Sequence, residues 1–203
     1  MTPGGLLRLG SSAPCDSLDS AQTFDPWCAV IYRTFARNLM SFAGKPGDQG
    51  LLVVPDLASD VPISNHEKTT WTFSLRPDVF WSDGQAVTSA DVKYSFQRLY
   101  DDSLQSPLAL DTLCLLSSCS AGSPDYEGPY ISPTIDLPSI VTPDDQTIVF
   151  NLNRPFYEFS RLLATPQFAP IQMTRDISLR ASGLTYASNP SSNGPFVLVI
   201  DQP

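Results

Sequence analysis

The side chains that could carry out chemistry in this chain are few, and their spacing argues against catalysis. The single histidine, His66, lies in a polar stretch that predicts a solvated turn. Two pairs of neighbouring carboxylates, Asp101–Asp102 and Asp144–Asp145, fall in turn-like surroundings, where aspartates usually accept hydrogen bonds from nearby amides. The sequence has no Gly-x-Ser-x-Gly segment and no glycine-rich phosphate loop. Because no nucleophile is paired with a base, a hydrolase is the least supported hypothesis.

Four cysteines form the second group of reactive side chains. An even number favours two disulfides in an oxidising compartment. Of the three possible pairings we predict the two local ones, Cys15–Cys28 and Cys114–Cys119, while four reduced thiols are the alternative. We predict no metal site and no cofactor, because there is no Cys-x-x-Cys pair and His66 has no cysteine nearby.

The composition indicates an acidic globular protein. Hydrophobic residues make up 42% of the chain and charged residues 16%, with a formal net charge of −9. A negative surface repels phosphate backbones, which argues against nucleic-acid binding, and favours solubility. No apolar run approaches the roughly 20 residues that span a bilayer. The N-terminus lacks a signal-peptide pattern, which fits either a cytoplasmic protein or a secreted one without its leader.

Hydrophobic spacing and turn residues predict the elements that would position these side chains. Residues 6–10 read as a short buried strand. Asp25 and Pro26 are typical of a helix start, and apolar residues at helical spacing continue the helix to about Met40. The run of glycine, proline and aspartate at 44–48 then breaks the chain.

The middle of the chain carries the strongest local pattern. Residues 69–75 alternate with a period of two, which predicts a strand that buries one face. A Trp-Ser-Asp-Gly turn follows, in which we expect Trp81 to anchor the turn and not to stack on a ligand. Thr88 with Asp91 predicts a capping box at the start of the next helix, and Val87 with Val92 a hydrophobic staple.

The other predicted elements rest on weaker patterns. Proline and glycine bound several of them, and the last is a continuous apolar run that needs neighbours on both faces. In chain order they are a helix at 106–117, a loop at 120–130, strands at 139–141 and 147–150 around a turn at 142–145, a helix at 156–163 and a strand at 196–200.

The segment from Trp71 to Leu99 resembles the signature of the peptide/nickel-type solute-binding proteins of ABC importers, which form family 5 of the bacterial solute-binding proteins. In both, a strand leads through a Trp-Ser-Asp-Gly turn into a capped helix. Shorter similar segments follow the family's order at 18–19, 54–58, 142–150, 153–156 and 193–196. The chain is therefore identified as a member that covers the N-terminal portion of the family, from about residue 6 to residue 200.

The resemblance implies an α/β fold, namely part of a periplasmic-binding-protein type II fold whose first lobe carries an extra subdomain, with mixed sheets and packed helices. Residues 1–45 and 172–203 correspond to the main first lobe, and residues 46–171 to the extra subdomain. The family's second lobe has no counterpart here, so we expect a truncated chain. Its exposed apolar surface makes a dimer plausible.

The function that the resemblance implies is capture of peptides or similar small solutes for an ABC permease in the membrane. Such a protein is not an enzyme and needs no cofactor. It would work outside the cytoplasm, in a periplasm or as a cell-surface lipoprotein. The alternative is a truncated lobe that acts as a protein interaction module without capturing a ligand.

The resemblance also indicates, by position, which residues would contact the ligand. An extended segment can offer backbone groups to a peptide main chain, and two aromatic residues in it could form a wall. The residues carried over are Thr23, Phe24, Asp25 and Trp27 in the first region, and Leu108 and Asp111 in the second. The alternative is structural: Asp25 would only cap its helix, Trp27 would only pack, and Leu108 would be ordinary helix packing.

Overall fold

The computed structural model describes residues 4–8, 15–23 and 25–198. Along these residues, groups of antiparallel strands lie between helices or pairs of helices. The helices are α1 (Pro26–Phe35), α2 (Ser89–Arg98), α3 (Leu110–Leu113), α4 (Phe159–Leu162) and α5 (Met173–Ala181). The strands are β1 (Met40–Phe42), β2 (Val53–Pro55), β3 (Ile63–Ser64), β4 (Thr70–Ser74), β5 (Cys119–Ser120), β6 (Ser123–Pro124), β7 (Ile140–Asp144) and β8 (Thr147–Asn151).

Helix α1 begins where the sequence predicts and ends earlier. Asp25 is its N-cap, since its side chain accepts a hydrogen bond from the backbone N–H of Trp27 at 2.8 Å. The helix stops at Phe35, so the predicted end near Met40 is wrong. The amides of Asn193 and Gly194 donate to the carbonyl oxygen of Phe35. The chain then turns into β1, which pairs antiparallel with β2.

A four-stranded antiparallel sheet with the order β3-β4-β8-β7 is the centre of the molecule. The predicted alternation in β4 is confirmed, because Trp71, Phe73 and Leu75 are buried. The rings of Phe73 and Phe150 meet edge to face with centroids 5.7 Å apart, and Phe159 packs against both. This aromatic group anchors the main hydrophobic core.

Helix α2 covers the sheet, and its predicted cap is confirmed. Thr88 and Asp91 form a complete capping box, and the staple residues Val87 and Val92 are both buried. Phe96 of α2 packs on Phe150 with ring centroids 4.9 Å apart. The capped helix is thereby held rigidly on the sheet.

The structure corrects several predicted boundaries. Helix 106–117 shrinks to α3, because Leu115 and Leu116 bond back to carbonyls only three residues earlier and turn inward to the core. Helix 156–163 shrinks to α4. The predicted turn at 142–145 moves by two residues, since Asp144 still pairs with Thr147 beyond an irregularity at Pro143, which has no N–H to donate. The predicted loop at 120–130 contains part of the β5–β6 hairpin.

Both predicted terminal strands are only partly covered by the described residues. Residues 6–8 and 196–198 are described and form no strand, which corrects those portions of the predictions. The remaining positions, 9–10 and 199–200, lie outside the described residues. Within the described part of the chain, none of the helices has the length and apolar character required to cross a membrane.

Candidate ligand-binding wall

The segment from residue 15 to residue 27, which we call the wall segment, is closed into a loop. A disulfide joins Cys15 to Cys28 in α1, which is one of the two pairings predicted. Inside the loop, the carboxylate of Asp16 accepts hydrogen bonds from the Thr23 hydroxyl at 2.8 Å and from the Asp25 amide at 3.2 Å. One covalent bond and one carboxylate therefore connect the two ends of the segment.

The structure gives the predicted contact residues of the wall segment unequal roles. Thr23 is buried, with its hydroxyl bonded to Asp16 and its carbonyl accepting from Gln167 Nε2 at 3.0 Å. The Asp25 side chain caps α1. Trp27 is partly buried, and Phe24 lies outside the described residues. The side chains of Thr23 and Asp25 are thus engaged within the protein, and the Trp27 ring keeps an accessible part.

The second predicted region does not meet the first through the residues that were named. Leu108 is partly buried against the main core, and the Asp111 side chain is 85% exposed and pairs with Arg154 at 3.1 Å. The two regions do approach each other a few residues earlier in the chain. A polar depression of about 500 Å³ lies between residues 15–18 of the wall segment and Leu104–Gln105.

A buried ion pair connects the wall segment to helix α2. Asp19 and Arg98 are each 1% exposed, and the guanidinium donates to both carboxylate oxygens, with Nη1 2.9 Å from Oδ1. Burial by itself would lower the pKa of Arg98, but the hydrogen bond and charge of Asp19 raise it above its ordinary value. The arginine is therefore charged, and it fixes the wall segment to the end of α2.

The same arginine reaches a third part of the chain. Its Nε lies 3.2 Å from Oδ2 of Asp176 in α5, and the hydroxyls of Tyr94 and Tyr130 donate to that same oxygen. Burial and the hydrogen bond to Asp176 raise the pKa of Tyr94 above its ordinary value, so the phenol stays a donor. One buried network thus joins the wall segment, α2 and α5.

Sequence reasoning missed this network, although a signal for it was present. Asp19 lies in the Leu-Asp motif, and Arg98 is the arginine at the end of the long matching segment. In the sequence the two motifs are about 80 residues apart, whereas the structure brings these two residues into contact. Asp91 acts similarly, because it accepts from the Trp81 indole at 3.2 Å and from the amide of Met173 at 3.0 Å. Trp81 is therefore structural, as predicted.

The Asn-Gly-Pro-Phe motif closes the other end of α1. The backbone amide of Arg37 donates to Asn193 Oδ1 at 2.8 Å, while the amides of Asn193 and Gly194 donate to Phe35. A Cβ at Gly194 would lie 2.6 Å from the carbonyl carbon of Phe35, which is closer than real contacts allow. Only glycine permits this approach, and α1 is consequently fixed at both ends.

A second groove, of about 440 Å³, lies at the C-terminal end of α1 and was not predicted. Arg37 and Asp56 face each other there at 2.9 Å. Burial raises the pKa of Asp56, and the charge of Arg37 opposes that shift. This groove contains none of the predicted contact residues.

Other candidate chemistry resolves into structural roles. Cys15, Asp16 and Cys28 bring ligand atoms within 4.8 Å of one another, but the sulfurs are bonded to each other, which removes the thiolates that a metal ion would need. The His66 side chain is fully exposed, as expected for a solvated turn. Asp101 accepts from the amide of Ser103, and Asp144 from the amide of Gln146, as turn aspartates do.

Comparison with known proteins adds an independent finding. A family model described as "Bacterial extracellular solute-binding proteins, family 5 Middle" matches residues 53–203. The probable D,D-dipeptide-binding periplasmic protein DdpA of Escherichia coli K12 is 31% identical over 202 residues, which are 97% of this chain and 34% of that protein. The periplasmic oligopeptide-binding protein OppA of the same organism is 34% identical over 135 residues, or 66% of this chain and 24% of OppA.

Solved structures have the same fold. The clavulanic acid biosynthesis oligopeptide binding protein 2 superposes with a TM-score of 0.85 at 36% identity, covering 99% of this chain and 35% of that one. OppA of Listeria monocytogenes bound to peptide gives a TM-score of 0.72 at 25% identity, covering 94% of this chain and 35% of that one. The chain thus spans about a third of the length of the proteins that it matches over nearly its whole extent.

Proposed function

The chain belongs to family 5 of the bacterial extracellular solute-binding proteins, and on that premise we propose that it forms one wall of a cleft that captures peptides or similar small solutes for an ABC importer. Its fold is part of the periplasmic-binding-protein type II fold, as the resemblance predicted. Members of the family are binding proteins and not enzymes, and we extend that to this chain.

The observation that carries the proposal is the preformed wall segment. Binding proteins gain affinity when the binding conformation exists before the ligand arrives, because less ordering entropy is lost on association. The described residues of the wall segment meet this condition: the disulfide, Asp16 and the Asp19–Arg98 pair hold them in place. Such a segment suits recognition of a peptide main chain. Names of relatives such as "oligopeptide-binding protein" support peptides as the solute class.

Within this proposal the predicted contact residues divide into two kinds. The Asp25 carbonyl, which accepts one hydrogen bond from the Cys28 amide, has a second lone pair for the ligand main chain, and the accessible part of Trp27 packs against a ligand side chain. Leu108 and Asp111 do not line the depression, and we propose them as further contacts because they closely follow Leu104 and Gln105 in the chain. Thr23 supports the segment from inside, because its hydroxyl, amide and carbonyl are all bonded within the protein.

Partners and location follow from the same premise. We propose that the chain works outside the cytoplasm, in a periplasm or as a lipoprotein, and delivers its solute to a membrane permease. The division into main-lobe residues 1–45 and 172–203 and subdomain residues 46–171 is part of this proposal. The net charge of −9 argues against nucleic acid as a partner.

A second candidate function is an interaction module, and one observation favours it. Large apolar side chains are exposed near both described ends: Leu6 at 75%, Phe196 at 42% and Val197 at 64%. Apolar surface of this kind is typical of contact with another protein surface, including a second copy of the chain. Self-association in analytical ultracentrifugation, combined with no peptide binding, would favour this candidate over the first.

Peptide binding can be tested by titrating the ¹⁵N-labelled chain with tri-alanine, which presents a main chain with minimal side chains. We expect amide shifts at Thr23, Asp25 and Trp27 and in residues 104–111. The dissociation constant should be on the order of 1 mM, because a single wall buries only part of the ligand surface. Tri-alanine should remain uncleaved throughout the titration, as expected of a binding protein.

The matched variants are Trp27→Leu, which should weaken the binding several-fold, and Tyr157→Leu, which should leave it unchanged. Tyr157 is an aromatic residue that is 69% exposed outside the wall segment. Shifts confined to the groove around Arg37 and Asp56, or no shifts at the highest peptide concentration, would contradict the proposal.

A further inference from the structure

The two disulfides of the chain differ in what they enclose. Cys114–Cys119 closes a span of 5 residues around one turn after α3. Cys15–Cys28 closes a span of 13 residues, and the whole first group of predicted contact residues lies between its cysteines or next to them. The second disulfide is a local staple, whereas the first bounds the surface that would touch a ligand.

In the wall segment before α1, the residues that the structure describes form no regular helix or strand. Residues 20–22 form a turn, and the amides of Gln22 and Thr23 donate to the carbonyl of Asp19. Without a helix or a strand ladder, the conformation of the segment depends on the groups that link it across space. Those groups include the disulfide at its ends, the carboxylate of Asp16 next to Cys15, the ion pair of Asp19, and the hydrogen bonds of Ser20 and Thr23 to residues 167–169.

Asp16 couples the disulfide to the contact residues. Its Oδ1 lies 2.9 Å from the Cys28 sulfur and accepts from the Thr23 hydroxyl, while its Oδ2 accepts from the Asp25 amide. The same carboxylate also accepts from the amide of Ser17 at 2.8 Å. A displacement of the Cys15 end therefore moves the acceptor that orients Thr23 and Asp25.

We propose that the Cys15–Cys28 disulfide and the Asp16 carboxylate are positioning groups for ligand binding, so that the oxidation state of this one disulfide sets the affinity of the wall segment. The inference rests on the proposed function. Reduction by a dithiol supplies two electrons and two protons, breaks the S–S bond, leaves two thiols and converts the reductant to a cyclic disulfide. The loop then keeps only its non-covalent links.

The expected size of the effect follows from chain entropy. Ordering one residue's backbone costs about 1–2 kcal/mol, which corresponds to roughly tenfold in affinity. In the oxidised protein the disulfide has already imposed that order. After reduction the ligand must impose this order when it binds. We therefore expect the affinity for the ligand to fall about tenfold or more.

The test compares two paired substitutions in the 203-residue chain. Cys15→Ser/Cys28→Ser removes the bounding disulfide, and Cys114→Ser/Cys119→Ser removes the local one as the matched control. Asp16→Asn removes the charge and one acceptor while keeping the shape. Two readouts are used: hydrogen–deuterium exchange of the Asp25 and Trp27 amides without ligand, and the dissociation constant for tri-alanine.

We expect the Cys15/Cys28 variant to exchange the Asp25 amide about tenfold faster or more and to bind tri-alanine correspondingly more weakly. Asp16→Asn should show a smaller change of the same kind, and the Cys114/Cys119 variant should match the unsubstituted chain in both readouts. Reduction by dithiothreitol should reproduce the Cys15/Cys28 variant in the unsubstituted chain and have no further effect on that variant.

The outcomes separate this inference from the function on which it rests. Unchanged exchange at Asp25 in the Cys15/Cys28 variant overturns the positioning role, whatever the peptide does. Faster exchange with unchanged tri-alanine affinity overturns the link between the disulfide and binding. If the unsubstituted chain fails to bind tri-alanine, the proposed function fails, and the exchange comparison still decides whether the disulfide and Asp16 order the segment.

Discussion

The sheet region and the wall region of this chain are stabilised by different interactions. The sheet β3-β4-β8-β7 and helix α2 share one large apolar core, built on Phe73, Phe96, Phe150 and Phe159. The wall region around α1 has a much smaller apolar cluster and relies instead on a disulfide, a buried ion pair and backbone hydrogen bonds from residues 193–196. The rigid core provides a platform, and directional bonds shape the surface that would meet a ligand.

This difference predicts which changes act globally and which act locally. Apolar burial is non-directional, so a cavity in the shared core weakens the whole cooperative unit. Directional bonds fix particular atoms, so their loss releases one segment first. The following substitutions test that distinction, from the largest expected effect on the free energy of unfolding to the smallest.

The largest effect is expected from Phe150→Ala in β8. Its ring is fully buried and touches the rings of Phe73, Phe96 and Phe159. Loss of the ring should lower the free energy of unfolding by about 3–5 kcal/mol, measured by urea denaturation. Val141→Ala in the neighbouring strand, at a side chain that is 44% exposed, should change it by less than about 0.5 kcal/mol. Equal losses of stability from the two substitutions would contradict the proposal that burial in the shared apolar core stabilises the sheet region.

Arg98→Met should destabilise the chain by about 3 kcal/mol, because it leaves two buried carboxylates, Asp19 and Asp176, without their cation. The loss should be concentrated in the wall region. Amides of residues 15–23 should lose protection from hydrogen exchange, while those of β4 and β8 keep it. A uniform loss of protection across both regions would show that the ion pair belongs energetically to the core.

The smallest effect is expected from Gly194→Ala. The new methyl group would meet the backbone of Phe35 at 2.6 Å, so the backbone contact of residues 193–196 with α1 must shift, at a cost of about 1–3 kcal/mol. Gly44→Ala is the control, since a Cβ there meets nothing within 4 Å. Thermal unfolding should show a lower Tm for the first variant alone. Equal Tm values would mean that the motif is not under steric constraint.

The accuracy of sequence reasoning depended on how far apart in the chain the interacting residues lie. In the sheet region, the period of β4, the Thr88–Asp91 capping box and the anchoring of Trp81 are all confirmed, because each depends on residues close together in the chain. In the wall region, the end of α1 was predicted near Met40 and lies at Phe35. The bonds that end the helix come from residues more than 150 positions away, and no local pattern reports them.

The candidate site shows the same limit. Motif resemblance selected Thr23, Phe24, Asp25 and Trp27, but nothing in those motifs indicated Asp16, which orients the segment. The even number of cysteines and their spacing predicted the Cys15–Cys28 disulfide, but they gave no indication of its role. Asp19 and Arg98 belong to two separate motifs. Only the folded structure shows that their side chains are in contact, because the fold places the wall segment against α2.

By itself, the sequence determined the family, the fold class and local elements such as β4 and the capped starts of α1 and α2, because periodicity, caps and motif order depend on neighbouring residues. Only the tertiary structure decided where α1 ends, which carboxylate orients the wall segment and which residues line the depression beside it. Those features depend on contacts between residues far apart in the chain. Such contacts are set by how the apolar core brings segments together, and short-range patterns carry no record of them.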